Sequence, residues 1–240
     1  MNLFQEIQQL GAVHAIDFIG VASISKSKRE IESLGGLIVG DFPRALSIGI
    51  ILQNSIVNLL EDRNVYENLL QYKTHAYDII NYRLDSFASI VSSFIQKNGY
   101  KVMPTPAAER IDNNRVCASI SHKITARLAG FGWIGKNCLL IHPDYGPRIR
   151  WTTVLTDAPF EENQIIMENQ CGTCTVCVKS CPAQAIKGRN FIEHEPRELR
   201  LDVSKCEKYY QELATLNKLE VCGMCLYTCP HGKKITSVKP

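Results

Sequence analysis

Ten cysteines occur in this 240-residue chain, and eight of them are spaced to do chemistry. Cys171, Cys174, Cys177 and Cys181, followed by Pro182, spell C-x2-C-x2-C-x3-C-P. Cys222, Cys225 and Cys229, followed by Pro230, form a second run, and Cys206 stands between the two. Two-residue gaps let one tight loop present three thiolates to alternate corners of an iron–sulfur cube, with loop amides turned towards its sulfides. In such a run the fourth cysteine serves the neighbouring cluster. The eight thiolates therefore predict two [4Fe–4S] clusters lying close together. Cys171, Cys174, Cys177 and the remote Cys229 would hold the first, and Cys181, Cys206, Cys222 and Cys225 the second. Structural zinc normally takes two separated Cys-x2-Cys pairs rather than a triple ending in Cys-Pro. A disulfide framework conflicts with a reducing compartment.

Hydrophobic residues make up 45% of the chain and charged residues 21%, enough to bury a core. No apolar run reaches the ~18 residues of a membrane span, and the start MNLFQEIQQLGAVHAIDF shows no export signal. The expectation is a cytoplasmic protein with no membrane partner. The formal charge of +3 counts every cysteine as neutral. Each oxidised four-thiolate cluster carries about −2, which brings the total to about −1. No Lys/Arg run or basic tail points to nucleic acid.

Two buried strands, at 18–24 and 46–52, follow a short amphipathic helix over residues 2–14, with a loop at 26–36 between the strands. From Val65 to Lys97 a mostly apolar stripe steps by three and four through Tyr66, Leu69, Lys73, Tyr77, Ile80, Leu84, Phe87, Val91 and Phe94. That pattern predicts one long helix stopped by Gly99. A strand over 100–103 ends at Pro104, a helix covers 117–129, and strands cover 138–141 and 151–156. Three short helices accompany the cysteines, at 175–181, 204–216 and 222–229. A domain boundary is expected near 160, after Asp157-Ala158-Pro159.

Outside the cysteine runs the densest stretch is AGFGWIGKNCLLIHPDYG, 129–146. Its glycines allow either close backbone approach to a flat or phosphate-bearing ligand, or a helix-to-strand corner with a solvated lysine. Neither a phosphate loop nor a dinucleotide fingerprint fits the spacing. Cys117 and Cys138 read as buried small apolar residues. The six histidines form no metal pattern, with His142 and His231 flanking the two motif regions.

GFGWIGKN, the preceding PAAER at 106–110, TDAP at 156–159, CGTCTVC with CPAQAI, and LDVSKC with a following tyrosine resemble epoxyqueuosine reductases and, more distantly, reductive dehalogenases. The resemblance implies an α/β (α+β) nitroreductase-like domain at 1–160 that binds cobalamin, and a bacterial ferredoxin-like two-cluster domain at 161–240. It also implies corrinoid contacts at Lys136, Asn137, Tyr145, Gly146 and Tyr209, and it agrees with the cluster ligands given above. Met103 stands where the family has a proton-donating aspartate, and a thioether cannot give up a proton. The chain ends at Pro240, which implies a short form without the family's C-terminal helical-repeat region.

The reading that follows is an iron–sulfur oxidoreductase. Low-potential electrons from a ferredoxin or flavodoxin would pass through the two clusters to a bound cobalamin, for reduction of a small molecule or of the corrinoid itself. The alternatives are an electron-transfer protein serving a separate corrinoid protein or enzyme and, third, epoxyqueuosine reduction on tRNA. No nucleic-acid partner is expected.

Overall fold

The computed structural model describes residues 2–25, 28, 39–216 and 219–237, and the loop expected at 26–36 lies outside the described residues except for Lys28. The chain divides into two compact units that interleave in sequence. The first comprises Met1–Ile51, Ile79–Phe131 and Arg150–Met167; the second comprises Leu52–Asp78, Gly132–Ile149 and Glu168–Pro240. The single boundary expected near 160 therefore gives way to five crossings. The reason is local: side chains from 52–78 and 132–149 are bonded to the cysteine loops and join that unit.

The first unit is built on a four-stranded sheet of β1 (Phe18–Ser23), β2 (Arg44–Ile51), β3 (Val102–Thr105) and β6 (Ile149–Thr156), in the spatial order β1-β2-β6-β3. The pairs β1/β2 and β3/β6 are antiparallel, with Val21 opposite Leu46 and Met103 opposite Leu155. β3 runs through Pro104, although the sequence suggested a stop there. It lies at the edge of the sheet, where a residue without an N–H costs no ladder bond. Helix α1 (Leu3–Val13) is capped by Asn2, whose side chain accepts from the Gln5 amide while Gln5 reaches back.

The helix expected over 65–97 is three pieces: α3 (Tyr66–Lys73), a π-helical segment (Thr74–Ile79) and α4 (Ile80–Lys97). A π turn holds extra residues and shifts the phase of what it joins. Tyr66, expected inside, is 54% exposed, while Tyr72 is buried, and Ile95 rather than Phe94 lies in the core. α4 packs on β2 and β3, and α5 (His122–Leu128) on β1 and β2. α5 is shorter than the expected helix over 117–129, because Asp112 and Cys117 form a bridge ahead of it. Met103 packs against the core of Ala22, Ile24, Leu128 and Leu155, an environment that suits a thioether and penalises a carboxylate.

The second unit holds α2 (Asn54–Asn58), α3, a hairpin of β4 (Trp133–Ile134) and β5 (Leu140–Ile141), and the cysteine segments. Those segments carry α6 (Val176–Lys179), α7 (Val203–Thr215) and α8 (Met224–Tyr227). No helix among the described residues is long and apolar enough to cross a membrane.

Candidate iron–sulfur centre

The first cysteine loop turns on itself, the Cys174 amide donating to the Cys171 carbonyl, and then enters α6 with Cys177. Beyond Cys181 the chain is tied to the start of α7. Ile186 bridges Leu201, the Asp202 amide donates to Ala185, and Asp202 caps α7 by accepting from the Lys205 amide. This link carries Cys181 towards Cys206, which lies on α7 three residues before Tyr209 and four before Tyr210, all on one helix face. Gly223, with φ +71°, opens α8 close against Leu60 and Tyr72; a β-carbon there would stand 2.7–2.8 Å from both.

Cys171, Cys174, Cys177 and Cys229 line one cavity together with Lys136, Asn137, Ile141, Pro230 and His231. Burial and the thiols of Cys229, Cys171 and Cys174 push the Cys177 thiol up to about 11. Burial and the thiols of Cys222 and Cys181, with Glu207 beside them, push Cys206 up to about 11 as well. Cys225 is raised first by burial and then by Cys222, Cys206 and Cys181. The eight thiols thus gather as two fours, and the last cysteine of each run sits with the other run's set.

Thiolates crowded in this way repel one another unless positive charge lies among them, which is the condition iron meets. Further donors already face the sulfurs. The Ala185 amide donates to Cys181 Sγ at 3.3 Å, and the His231 and Gly232 amides to Cys229. Trp133 is 1% exposed and its indole N–H has no acceptor among the described residues, in an apolar cluster that contains Cys229 and Cys171. Arg148 is equally buried. It donates to Asn54 Oδ1 (2.8 Å) and Asn58 Oδ1 (2.9 Å), and its Nε has no partner among the described residues. Burial lowers its pKa, while Tyr227 and Cys229 draw it up. A buried guanidinium held only by neutral amides is costly unless an anionic group lies near it. The donor set fits two cubanes.

The hairpin tip at 135–138 is the clamp between the two loops. Lys136 is 7% exposed and its Nζ donates to the carbonyls of Gly172 (2.7 Å) and Cys174 (3.1 Å). Asn137 donates to the Cys225 carbonyl at 2.9 Å and accepts from the Leu139 amide. Asn169 donates to Ile134 O and accepts from the Cys171 amide, both at 2.9 Å. Gly146, with φ +56°, faces Gly232, whose nitrogen would lie 2.3 Å from an added β-carbon. Gly132 approaches the Ile141 carbonyl in the same way. The close approach expected at the glycine-rich stretch is thus to the protein's own backbone, and its lysine is buried rather than solvated.

The Tyr145 ring lies tilted against His142, centroids 5.2 Å apart, and the His142 Nδ1 accepts from the Asp144 and Tyr145 amides. Tyr209 meets Arg63, its hydroxyl accepting from the guanidinium. Of the five residues expected at a corrinoid, three therefore fasten cluster loops and a fourth is bonded to an arginine of the same unit. As they stand, these groups do not fit a corrinoid rim. Cys138 is buried and Cys117 half-buried. Among the described residues, an open groove in the first unit, lined by Phe42, Gln96, Tyr100 and Lys101, has no cysteine, histidine or carboxylate in its lining.

Lys136→Met is expected to release iron faster to a chelator. The two charge-assisted hydrogen bonds contribute about 2 kcal/mol, roughly thirtyfold in loop opening. Chelator-trapping kinetics on the loaded protein measure this, and an unchanged rate would show that the lysine does not hold the loop.

Residues 170–232 match the 4Fe-4S double cluster binding domain. An epoxyqueuosine reductase from Bacillus anthracis is 32% identical over 117 residues, which is 48% of this chain and 30% of that enzyme. The match therefore spans about a third of the relative's length. Among solved structures, an epoxyqueuosine reductase with an epoxyqueuosine-modified tRNA stem loop superposes with a TM-score of 0.61 at 18% identity, covering 97% of this chain and 66% of that one. A reductive dehalogenase, described with a mechanism for B12-dependent dehalogenation, gives a TM-score of 0.68 at 20% identity, covering 93% and 31%.

Proposed function

We propose that this chain, an epoxyqueuosine reductase-like protein with a double-cluster domain, is an iron–sulfur oxidoreductase that supplies low-potential electrons through two [4Fe–4S] clusters. The observation that carries the reading is the gathering of eight thiols into two fours of crossed membership. Bound clusters supply one-electron storage at low potential. The chain supplies the rest. Lys136, Asn137 and Asn169 fix the loops, backbone amides and Arg63 donate to thiolates, and Trp133 with Ile141 keeps water from Cys229 and Cys171.

A corrinoid acceptor is supported by the fold shared with the dehalogenase and not by Lys136, Asn137, Gly146 or Tyr209. Epoxyqueuosine in RNA becomes the preferred substrate reading, ahead of a small molecule. The relatives carry that activity in their name, and the tRNA stem loop bound to a protein of the same fold counts against the expected absence of a nucleic-acid partner. The electron donor is a ferredoxin or flavodoxin, and the setting is cytoplasmic. A pure electron carrier is the second reading, favoured by Met103 at the position of the family's acid.

Anaerobically reconstituted protein is expected to hold about eight irons and eight sulfides per chain. About four irons, or stoichiometric zinc, would overturn the reading. With both clusters in place, restored queuosine in a reductase-deficient cell supports the substrate assignment. No reduction of added cob(II)alamin and no queuosine together leave the carrier.

A further inference from the structure

Arg63 belongs to none of the cysteine segments. It follows a 3-10 turn (Leu59–Asp62) on the stretch before α3, and its separation from Cys222 is 159 residues. One guanidinium nitrogen nevertheless lies 3.8 Å from Cys222 Sγ, and another donates to the Tyr209 hydroxyl. Arg63 is half-buried, and among the described residues no carboxylate lies within ion-pair distance of it. Tyr209 itself is fixed by α7, one turn from Cys206. The arginine is thus held between a ligand of the second set and the helix that bears another ligand of the same set. Glu207 lies beside Cys206, and the half-buried phenols of Tyr210 and Tyr77 lie near the same thiols. Arg63 places a positive charge against Cys222 of this set.

We propose that Arg63 sets the reduction potential of the second cluster by donating to the Cys222 thiolate, with Tyr209 as the anchor that keeps it there. The inference rests on the two-cluster reading above. When the cluster is reduced, one electron from the external donor enters it and the four-thiolate unit goes from about −2 to about −3. No bond breaks and no proton is required, because a guanidinium remains protonated throughout. A fixed positive charge at a ligand sulfur stabilises the reduced form more than the oxidised one, so it raises the potential. Arginine suits this place better than lysine, since its planar fork can serve the sulfur and the phenol at once.

The test is an anaerobic redox titration of the loaded full chain, followed by electron paramagnetic resonance. In Arg63→Gln one cluster should become harder to reduce by tenfold or more, about 59 mV for one electron, while the other stays put and iron content is unchanged. Arg63→Lys should fall between the wild type and the glutamine variant. Tyr209→Phe, which frees the guanidinium without removing its charge, should move the same cluster in the same direction by less. If Arg63→Gln loses iron, Arg63→Lys and Tyr209→Phe decide. Unshifted potentials in both, with full iron, overturn the proposal, as does an unshifted Arg63→Gln that keeps its iron. A chain that takes up no cubane fails the cluster reading instead, and iron and sulfide analysis shows this before any potential is measured.

Discussion

The double variant Cys225→Ser/Cys229→Ser is expected to lose both clusters, while each single variant loses only one. Both cysteines belong to the second run, four residues apart. Yet Cys229 shares a cavity with Cys171, Cys174 and Cys177, whereas Cys225 is crowded by Cys222, Cys206 and Cys181. Serine is a poor substitute for a thiolate ligand, and a three-thiolate cube is labile. Iron should therefore fall from about eight per chain to about four in either single variant, and to near zero in the double. If each run kept its cysteines to itself, the double variant would still hold about four. Iron and sulfide analysis of the three anaerobically purified variants separates the two arrangements, and half-loaded double variant protein would refute the crossed one.

The grouping of the thiols is legible in the sequence because its signal is local. A triple of cysteines at two-residue gaps can present three thiolates from one turn, whatever the rest of the chain does. Even the crossing could be read, since the Cys-Pro ending specifies it. The groups that surround the thiolates were not legible. Arg63, Arg148, Trp133 and Asn169 reach the site from four separate places, and no spacing rule connects a residue to a partner 159 positions away. Lys136 and Asn137 were found for a different reason than the one the structure gives. Their motif stood out, but the sequence could not say that both side chains turn to the cluster loops. The fold shows the same division. The strands of the first unit were placed to within a few residues, because buried β-branched runs declare themselves. The π segment at 74–79 was missed, since apolar periodicity tolerates one phase shift without visible damage. The two-unit interleaving was missed as well, because it depends on contacts rather than on composition.

Gly146→Ala is expected to unfold the loop that carries Cys229, and to do so whether or not a corrinoid is present. Two independent costs meet at this residue. Its φ of +56° lies in the left-handed region, where a β-carbon is disfavoured. Its α-carbon also stands against the backbone just after Cys229, so that an added methyl would lie 2.3 Å from Gly232 N and 2.6 Å from Gly232 Cα. No flexible side chain is there to move aside; the obstacle is main chain. That main chain is held by the Gly232 amide on the Cys229 carbonyl and by amides on the Cys229 sulfur. Gly146 is held too, exchanging hydrogen bonds of 2.9 Å with His142 in both directions. Backbone strain at such a site costs about 1–3 kcal/mol, and displacing the loop adds to it. The expected readout is a chain that loads about four irons instead of eight and melts earlier, the missing cluster being that of Cys171, Cys174, Cys177 and Cys229. A residue that only faced a bound corrinoid would behave differently: Gly146→Ala would then keep all its iron and lose only corrinoid affinity. Iron analysis and thermal denaturation of the variant, both without added corrinoid, distinguish these outcomes. A fully loaded variant of wild-type stability would show that Gly146 does not hold the Cys229 loop in place.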